Sequence, residues 1–365
     1  MPKVLIIPTD YQECLAAVRR VLEVFPLDVA GKKILVKPNV LRAARPEEAV
    51  TTHPALLRAV VTCLEEMKPA RITVGDNPGL MGYGANEACF EKCGLREASL
   101  GHYENIGLDA VEVPFLPEYG GSLQVSRAVM EADVYISLPK FKTHGLTVIT
   151  GAIKNSYGIL PGAQKAYYHK QAGTPARFHD LVAEVFALRP PDIVIMDAVL
   201  GMQGNGPAST ELRWIGKILA SDNAVALDAV MARMMGLDPG LLGFLRRAKA
   251  LGLGDYADDS LEILGDLVPI PDFHVPPLGG EAICHAQAIQ HLIDDRVALR
   301  PRVDPDLCTT CGTCVDQCPA QALIMVDDLP RVDPERCVVC FCCQEKCAWC
   351  GPSPCKPRPA RARSS

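Results

Sequence analysis

The 365-residue chain has few aromatic residues, no excess of positive charge and no long apolar run. Aromatic side chains make up 5% of it, which disfavours the stacking platforms on which nucleic-acid bases bind. A formal net charge of -6 gives no electrostatic reason to expect a nucleic-acid partner. No run of about 18 apolar residues is present, so we predict no transmembrane helix and no membrane partner. Residues 1–10 lack the basic and apolar regions of a signal peptide, and we expect a cytoplasmic protein.

The sixteen cysteines are distributed unevenly. Eleven of them lie between Cys308 and Cys355, and the other five are scattered. A secreted disulfide scaffold would be short and would carry a secretion signal, and this chain fits neither condition. The cysteine-rich segment therefore indicates a metal site in a reducing compartment.

Short apolar runs alternate with amphipathic stretches over about residues 1–270. Strands are predicted at Val4–Ile7, Ile34–Lys37, Ile72–Gly75, Val111–Pro114, Val134–Leu138, Ile193–Asp197 and Ile215–Ala220. Helices are predicted near 11–24, 54–67, 86–98, 178–188 and 222–235. This alternation predicts βαβ units, and therefore an α/β fold with a mainly parallel sheet and flanking helices.

Prolines and arginines near residues 300–305 interrupt regular structure, after a predicted helix at 281–293. We place a domain boundary there. The predicted domains are an α/β domain over 1–299, a small bacterial ferredoxin-like α+β domain over 300–350, and a disordered tail over 351–365.

Two cysteine runs have the spacing of a bacterial two-cluster ferredoxin. Within each run the gaps are two, two and three residues, and Pro319 follows the first run. In this pattern the fourth cysteine of each run binds the other cluster. The predicted ligands of two 4Fe-4S clusters are Cys308, Cys311, Cys314 and Cys347 for the first, and Cys337, Cys340, Cys343 and Cys318 for the second.

Two alternatives concern the metal and the fourth ligand. Zinc favours paired Cys-x2-Cys knuckles with a longer gap, whereas the observed spacing favours iron–sulfur clusters. Gly312 suits the tight loop whose N–H groups turn toward the sulfurs. Ala348 stands where a proline would follow the second run, and Cys350 is an alternative to Cys347. Cys347 is preferred because it completes the three-residue gap.

Several polar motifs occur in an order that resembles the DUF362 family. They are Val36–Asn39, Thr51–Pro54, Gly75–Gly79, Leu138–His144, Gly151–Asn155 and Asp197–Pro207. The resemblance covers about residues 3–350. Members of that family are often fused to a C-terminal two-cluster ferredoxin module, so the resemblance implies this architecture and a redox context. It implies no substrate, because the function of the family is unknown.

The polar residues of these motifs lie at or beyond the ends of predicted strands, where ligands bind in open α/β sheets. Lysine, asparagine and histidine side chains gathered there would hold a carboxylate or a phosphate. The candidate catalytic residues are Lys140, Lys142, His144 and Lys154, and the candidate ligand-binding residues are Lys37, Asn39 and Asn155. Among them, His144 is suited to donate a proton near neutral pH. The alternative is a solvated basic loop without a ligand.

Together these patterns predict an iron–sulfur oxidoreductase. A soluble donor or acceptor protein would exchange electrons with the ferredoxin-like domain, and a small anionic substrate would bind in the α/β domain. One alternative is an electron carrier or assembly factor that docks a partner enzyme and has no substrate of its own. Another is a non-redox enzyme whose clusters are structural or regulatory.

The cysteine spacing makes a prediction about metal content. After anaerobic reconstitution, we expect about eight irons and eight acid-labile sulfides per chain, because eight thiolates hold two cubes. Iron and sulfide assays and the loss of brown colour with dithionite measure this. Stoichiometric zinc without iron after anaerobic expression would contradict it.

Overall fold

The computed structural model describes residues 1–79, 85–276, 301, 303–337, 342, 343 and 347. The predicted helix at 281–293, the domain boundary at 299–300 and the tail at 351–365 lie outside these residues. Within them, none of the helices combines the length and the apolar character that crossing a bilayer requires.

The elements alternate between strands and helices through most of the chain. The strands are β1 Lys3–Pro8, β2 Lys33–Pro38, β3 Arg71–Val74, β4 Ala110–Pro114, β5 Ser122–Ser126, β6 Val134–Leu138, β7 Lys140–His144, β8 Val148–Ile149, β9 Ile193–Met202, β10 Leu212–Ser221, β11 Glu262–Leu264, β12 Leu323–Val326 and β13 Leu329–Val332. The helices are α1 Cys14–Val24, α2 Pro54–Glu66, α3 Ala85–Lys92, α4 Leu95–Ala98, α5 Arg127–Met130, α6 Gly151–Asn155, α7 Gln164–Ala172, α8 Pro175–Leu188, α9 Ala224–Met234, α10 Gly243–Ala250 and α11 Thr313–Asp316.

Nine strands of the described residues form one mixed sheet. Its order is β11-β1-β10-β9-β6-β2-β3, with β7 paired to β9 and β8 paired to β7. The central strands β3, β2, β6 and β9 are parallel, whereas β10 is antiparallel to both β9 and β1. Strand β4 pairs with β5 in a separate two-stranded sheet. The predicted α/β class with a largely parallel sheet and flanking helices is confirmed.

Both faces of the sheet are covered by helices. Side chains of a strand alternate between faces, so Ile34 and Val36 pack with α1 and α2, whereas Leu35 packs with α8 and α9 on the other side. Strands that are buried on both faces are apolar almost without interruption, which is why β2 and β9 are recognisable in the sequence. Each such buried side chain contributes about 1.5–3 kcal/mol to stability.

Residues 140–144 form the buried strand β7, which corrects the expectation that they follow the last residue of a strand as a loop beyond Leu138. Pro139 separates β6 from β7, which both pair with β9, because proline has no N–H to donate to the ladder. Beyond it the chain continues along β9, where Lys140 pairs with Asp197. The sequence of β7 alternates poorly between polar and apolar residues, so the hydrophobic pattern favours a loop. Its burial depends on ion pairs and hydrogen bonds instead.

The C-terminal region contains a short antiparallel hairpin between the two cysteine runs. Strands β12 and β13 pair in register from Leu323 opposite Val332 to Val326 opposite Leu329. The two turn residues, Asp327 and Asp328, have φ values of 49° and 59°. Positive φ at both positions gives the turn that matches the twist of a hairpin. With helix α11, this hairpin forms the small α+β unit that the sequence predicts.

Helix α6 begins at a buried cap provided by another helix. Asp228 of α9 accepts hydrogen bonds from the backbone N–H groups of Ala152 and Ile153, at 2.6 and 3.0 Å. Gly151 has a φ of 59°, and a Cβ there would lie 2.4 Å from the Asp228 carboxylate. Only glycine therefore allows this approach. Burial raises the pKa of Asp228 to about 7, although the two N–H groups oppose the shift.

The Asp228 cap predicts a pH-dependent difference in stability between the native protein and Asp228→Asn. Since burial raises the folded-state pKa from 3.8 to about 7, the carboxyl group stabilises the fold when protonated, and this contribution is lost as the pH rises. Between about pH 5.5 and 7, the native protein should lose about 2 kcal/mol relative to the variant. Urea unfolding of both proteins across this range measures the effect. A difference that does not change with pH would contradict it.

Candidate functional site: a polar cavity beside the ferredoxin-like domain

A cavity lies beyond the carboxyl ends of β2 and β3 and beside β7. Water molecules can occupy about 70 Å³ of it. Since one water molecule needs about 10–15 Å³ by this measure, the cavity has room for a small ligand. It is lined by Asn39, Val40, Leu41, Asp76, Asn77, Gly79, Lys142, His144, Thr150, Lys154, Asn155, Tyr157, Gly158, Lys165, Ala166, His169, Pro207 and Cys342.

The structure gathers five of the seven site residues predicted in the α/β domain. Those that line the cavity are Asn39, Lys142, His144, Lys154 and Asn155. Lys37 lies directly behind the wall, and Lys140 lies elsewhere. Whether these side chains take part in catalysis stays a prediction.

A buried ion pair between Lys37 and Asp76 supports the wall of the cavity. Lys37 Nζ lies 2.6 Å from Asp76 Oδ1, and the two side chains are 0% and 2% exposed. The other carboxylate oxygen accepts the backbone N–H of Val40 at 2.7 Å. Burial lowers the pKa of Lys37 and raises the pKa of Asp76, whereas their mutual attraction acts in the opposite direction. A Cβ at position 158 would lie 2.3 Å from Asp76, so Gly158 makes room for the pair.

The Lys37 ammonium also orients two amides in the wall. It donates to Asn155 Oδ1 at 3.2 Å, and Asn39 Nδ2 donates to the same oxygen at 3.2 Å. Asn155 Nδ2 donates to Ser137 Oγ at 2.9 Å. An ammonium has donors only, so the oxygen of Asn155 must face Lys37, and the nitrogen of Asn39 must then face that oxygen.

Lys142 and His144 lie on the same face of β7. Lys142 is 1% exposed, and its Nζ donates to the carbonyl oxygen of Val50 at 2.7 Å. His144 Nδ1 accepts the N–H groups of Leu146 and Thr147, at 3.0 and 3.2 Å. A ring nitrogen that accepts hydrogen bonds carries no proton, so the proton of the neutral ring is on Nε2. These hydrogen bonds fix the orientation of the His144 ring at the cavity.

Lys154 of α6 lies against aromatic rings at the cavity. Its Nζ is 4.9 Å from the ring centre of Tyr157 and 5.3 Å from that of Phe178. Such cation–π contacts help to hold the ammonium in place.

Helix α7 contributes Lys165, Ala166 and His169 to the lining of the cavity, and none of them is among the site residues predicted from the sequence. Lys165 Nζ donates to the carbonyl oxygens of Asn77 and Leu160, at 2.9 and 3.0 Å. His169 packs on Phe178 with a ring separation of 4.0 Å. Residues four apart on a helix share a face, and the spacing of Lys165 and His169 is the signal that would have identified them.

Lys140 belongs to a different buried cluster. Its Nζ lies 2.7 Å from Asp197 Oδ2, with both side chains fully buried, and donates to the Tyr11 hydroxyl at 3.1 Å. Tyr11 in turn donates to Asp197 Oδ1 at 3.2 Å and stacks on His53 at 3.5 Å. Burial lowers the pKa of Lys140 and raises that of Tyr11. The expectation that Lys140 shares an anion with the other lysines does not match this geometry, because Asp197 already supplies its counter-charge.

The cysteines of the first predicted cluster lie near one another. Burial raises the pKa of the Cys314 thiol, and the neighbouring thiols of Cys347, Cys311 and Cys308 raise it further. These three cysteines are the ones predicted to bind the same cluster as Cys314, because the fourth cysteine of each run binds the other cluster. Among the described residues no three His, Cys, Asp or Glu side chains are placed to share one metal ion. A 4Fe-4S cube does not need this, since its thiolates bind different irons.

The backbone around these cysteines also fits a cluster. The N–H groups of Thr310 and Ala322 point to the sulfurs of Cys308 and Cys318, at 3.4 and 3.3 Å. Gly312 has a φ of 73°, as expected for the tight loop. Such N–H groups tune a cluster's potential. Of the second predicted ligand set, Cys318, Cys337 and Cys343 are described, and Cys340 lies outside the described residues.

Cys342 connects the two parts of the protein. This residue is 2% exposed, lies outside both predicted ligand sets and lines the cavity of the α/β domain. It immediately precedes the predicted ligand Cys343. The cavity and the second cysteine run are therefore direct neighbours.

The Lys37–Asp76 pair makes a prediction about stability. Lys37→Met leaves a buried carboxylate without its counter-charge and should cost about 3–5 kcal/mol. Arg58→Met is the matched control, because it breaks an exposed pair with Glu97 and should cost about 0–1 kcal/mol. Urea unfolding measures both. Equal effects of the two substitutions would contradict a supporting role for the buried pair.

Comparison with family models gives two matches. The model described as "Domain of unknown function (DUF362)" matches residues 34–233. The model described as "4Fe-4S dicluster domain" matches residues 300–348.

Two curated proteins resemble different parts of the chain. A thylakoid-associated protein of Synechocystis sp. is 32% identical over 240 residues, which cover 62% of this chain and 70% of that protein. A probable ferredoxin of Methanosarcina thermophila is 59% identical over 27 residues, which cover 7% of this chain and 47% of that protein.

Two solved structures also match. A crystal structure of a Thermotoga maritima protein has a TM-score of 0.39 at 14% identity and covers 67% of this chain. The lactate racemase apoprotein of Thermoanaerobacterium thermosaccharolyticum has a TM-score of 0.40 at 12% identity and covers 64% of it. This chain spans 59% and 57% of those two chains.

The first family match extends from β2 into α9 and contains every cavity residue of the α/β domain, and the second contains Cys342 and all eight predicted cluster ligands. The order of polar motifs and the cysteine spacing agree with these matches. The chain belongs to the DUF362 family and carries a C-terminal 4Fe-4S ferredoxin domain.

Proposed function

We propose that this protein is an iron–sulfur oxidoreductase that exchanges electrons between a soluble partner protein and a small anion bound in the cavity. One observation carries the proposal: the same cavity is lined by lysines of the α/β domain and by Cys342. Consecutive Cα atoms are about 3.8 Å apart, so Cys342 keeps the cavity close to Cys343. A molecule in the cavity would therefore lie close to the iron–sulfur site that Cys343 helps to form.

Two 4Fe-4S clusters would supply one-electron chemistry when bound. The cysteines proposed to hold them are Cys308, Cys311, Cys314 and Cys347 for one, and Cys318, Cys337, Cys340 and Cys343 for the other. The mutual proximity of the first set and the N–H groups directed at Cys308 and Cys318 support this assignment.

The charge of the described cavity wall favours an anion. Three lysines line it, namely Lys142, Lys154 and Lys165, and the one carboxylate among the described lining residues, Asp76, is paired with Lys37. Buried ammonium groups attract an anion more strongly than exposed ones, because the effective dielectric constant is lower. A carboxylate is therefore the class of anion that we propose for this site.

His144 has a separate role in this proposal. Its Nδ1 accepts two backbone N–H groups, so the proton of the neutral ring lies on Nε2. A neutral imidazole in this orientation stabilises negative charge that develops on an oxygen of the bound molecule. Protonation at Nδ1 would break both backbone hydrogen bonds. In this proposal the ring therefore stays neutral and acts as a hydrogen-bond donor through Nε2.

The second candidate function is an electron carrier that docks a partner enzyme. Three apolar side chains near the cysteine runs favour it: Leu307, Ile324 and Met325 are 44%, 58% and 40% exposed. Exposed apolar groups often lie at protein interfaces where they form a contiguous patch. A small carboxylate that changes the EPR spectrum of the reduced protein supports the oxidoreductase. A stable complex with one larger enzyme, without any response to small anions, supports the carrier.

The lysines of the wall make a quantitative prediction. Lys142→Met and Lys154→Met keep much of the side-chain volume and remove the charge. Each should weaken the binding of acetate by about 1.5–3 kcal/mol, the contribution of a charged hydrogen bond, with iron content unchanged. Isothermal titration of the reconstituted protein measures this.

Two control variants accompany these lysine substitutions. Lys170→Met changes an exposed lysine of α7 and should leave acetate binding unaltered. Lys140→Met should lower stability without weakening acetate binding, since Lys140 is paired with Asp197. If the two wall variants bind acetate as the native protein does, the proposed anion site is wrong.

A further inference from the structure

Asn39 carries a buried acceptor that no described residue satisfies. The residue lines the cavity and is 9% exposed, and its Oδ1 has no hydrogen-bond partner in the described part of the chain. Buried side-chain oxygens are normally hydrogen-bonded. A bound molecule with a hydrogen-bond donor would satisfy this oxygen.

The orientation of the Asn39 amide is fixed by its neighbours. Rotating it by 180° would place its oxygen against Asn155 Oδ1, which already accepts from Lys37. Two acceptor oxygens would then face each other. Rotating Asn155 as well would present its NH₂ group to the Lys37 ammonium, which has no acceptor. The buried charge of Lys37, two residues away in the chain, thus determines which way the Asn39 amide points and where its acceptor oxygen lies.

The same wall also offers donors. The neutral ring of His144 carries its proton on Nε2, and the ammonium groups of the wall lysines suit a carboxylate. Thr150 lines the cavity at 4% exposure, and its Oγ1 has no hydrogen-bond partner within the described residues. A hydroxyl group both donates and accepts. The wall is therefore complementary to a molecule that has an anionic end and, close to it, a hydrogen-bond donor.

We infer that the cavity takes a small carboxylate that also carries a hydroxyl or N–H donor, and that Asn39 recognises this donor. The inference rests on the proposed function and deepens it, since it adds a substrate class to the anion site. Asn39 is a specificity-determining residue in this account. An analogue without the donor would leave its oxygen unpaired in a buried position, and sites of this kind reject such analogues.

Paired ligands that differ by one hydroxyl test the inference. Glycolate and acetate, and likewise lactate and propionate, are titrated into the full-length reconstituted protein, and dissociation constants are measured by isothermal titration. We expect the hydroxylated member of each pair to bind at least about tenfold more tightly. In Asn39→Leu this preference should disappear, because the hydroxylated ligand loses affinity and the other does not.

Thr150→Val tests the other unsatisfied polar group of the same wall, because it removes a buried hydroxyl and keeps the shape of the side chain. Since the inference assigns the donor of the ligand to Asn39, this variant should keep the preference between the paired ligands even where it weakens the binding of all four. Far-UV circular dichroism verifies that the α/β domain of each variant is folded. If Asn39→Leu does not fold, Asn39→Ala replaces it, and the preference of the native protein is tested in any case.

The outcomes separate this inference from the proposed function. Equal binding of glycolate and acetate to the native protein overturns the inference and leaves the anion site in place. Loss of the preference in Thr150→Val, but not in the Asn39 variants, also overturns it. Failure of all four carboxylates to bind overturns the anion site itself, and the inference with it.

Discussion

The buried Lys37–Asp76 ion pair is the interaction on which the cavity depends. Two opposite charges inside the protein are stable only while each compensates the other, because each has lost its hydration. The pair therefore holds Lys37 at the end of β2 against Asp76 in the loop after β3. It also requires glycine at position 158, because a Cβ there would clash with the pair. It also sets the direction of two amides, since an ammonium accepts no hydrogen bond. One electrostatic constraint thus determines which polar atoms the wall presents.

A second buried pair, Lys140–Asp197, has a different consequence. It lies where β7 begins to pair with β9. The pair neutralises the charge of Lys140, so that this polar strand can lie in the interior. Lys142 and His144 follow it on the same strand and reach the cavity. The first pair therefore shapes the wall, and the second keeps in place the strand that supplies two of its donors.

The ferredoxin domain gives this polar cavity its proposed role. An anion site alone would suit many reactions, because a fold of this class supports many chemistries. Cys342 favours a redox reaction among them, since this residue belongs to the wall and adjoins the predicted cluster ligand Cys343. The proposed oxidoreductase function is argued from this neighbourhood of a charged cavity and a cysteine run, and not from the fold.

The sequence by itself determined the two-part architecture, the α/β class, the cysteine pattern and most of the central strands. Such features depend on local spacing and on runs of apolar residues, which can be read without a structure. The sequence did not show that residues 140–144 form a buried strand, that Lys140 is neutralised by Asp197, or that α7 contributes Lys165 to the cavity. Those facts depend on partners that are 57 or more residues away in the chain, or on which face of a helix meets the sheet. Only the tertiary structure brings such groups together, because the energy of a buried charge depends on neighbours in space.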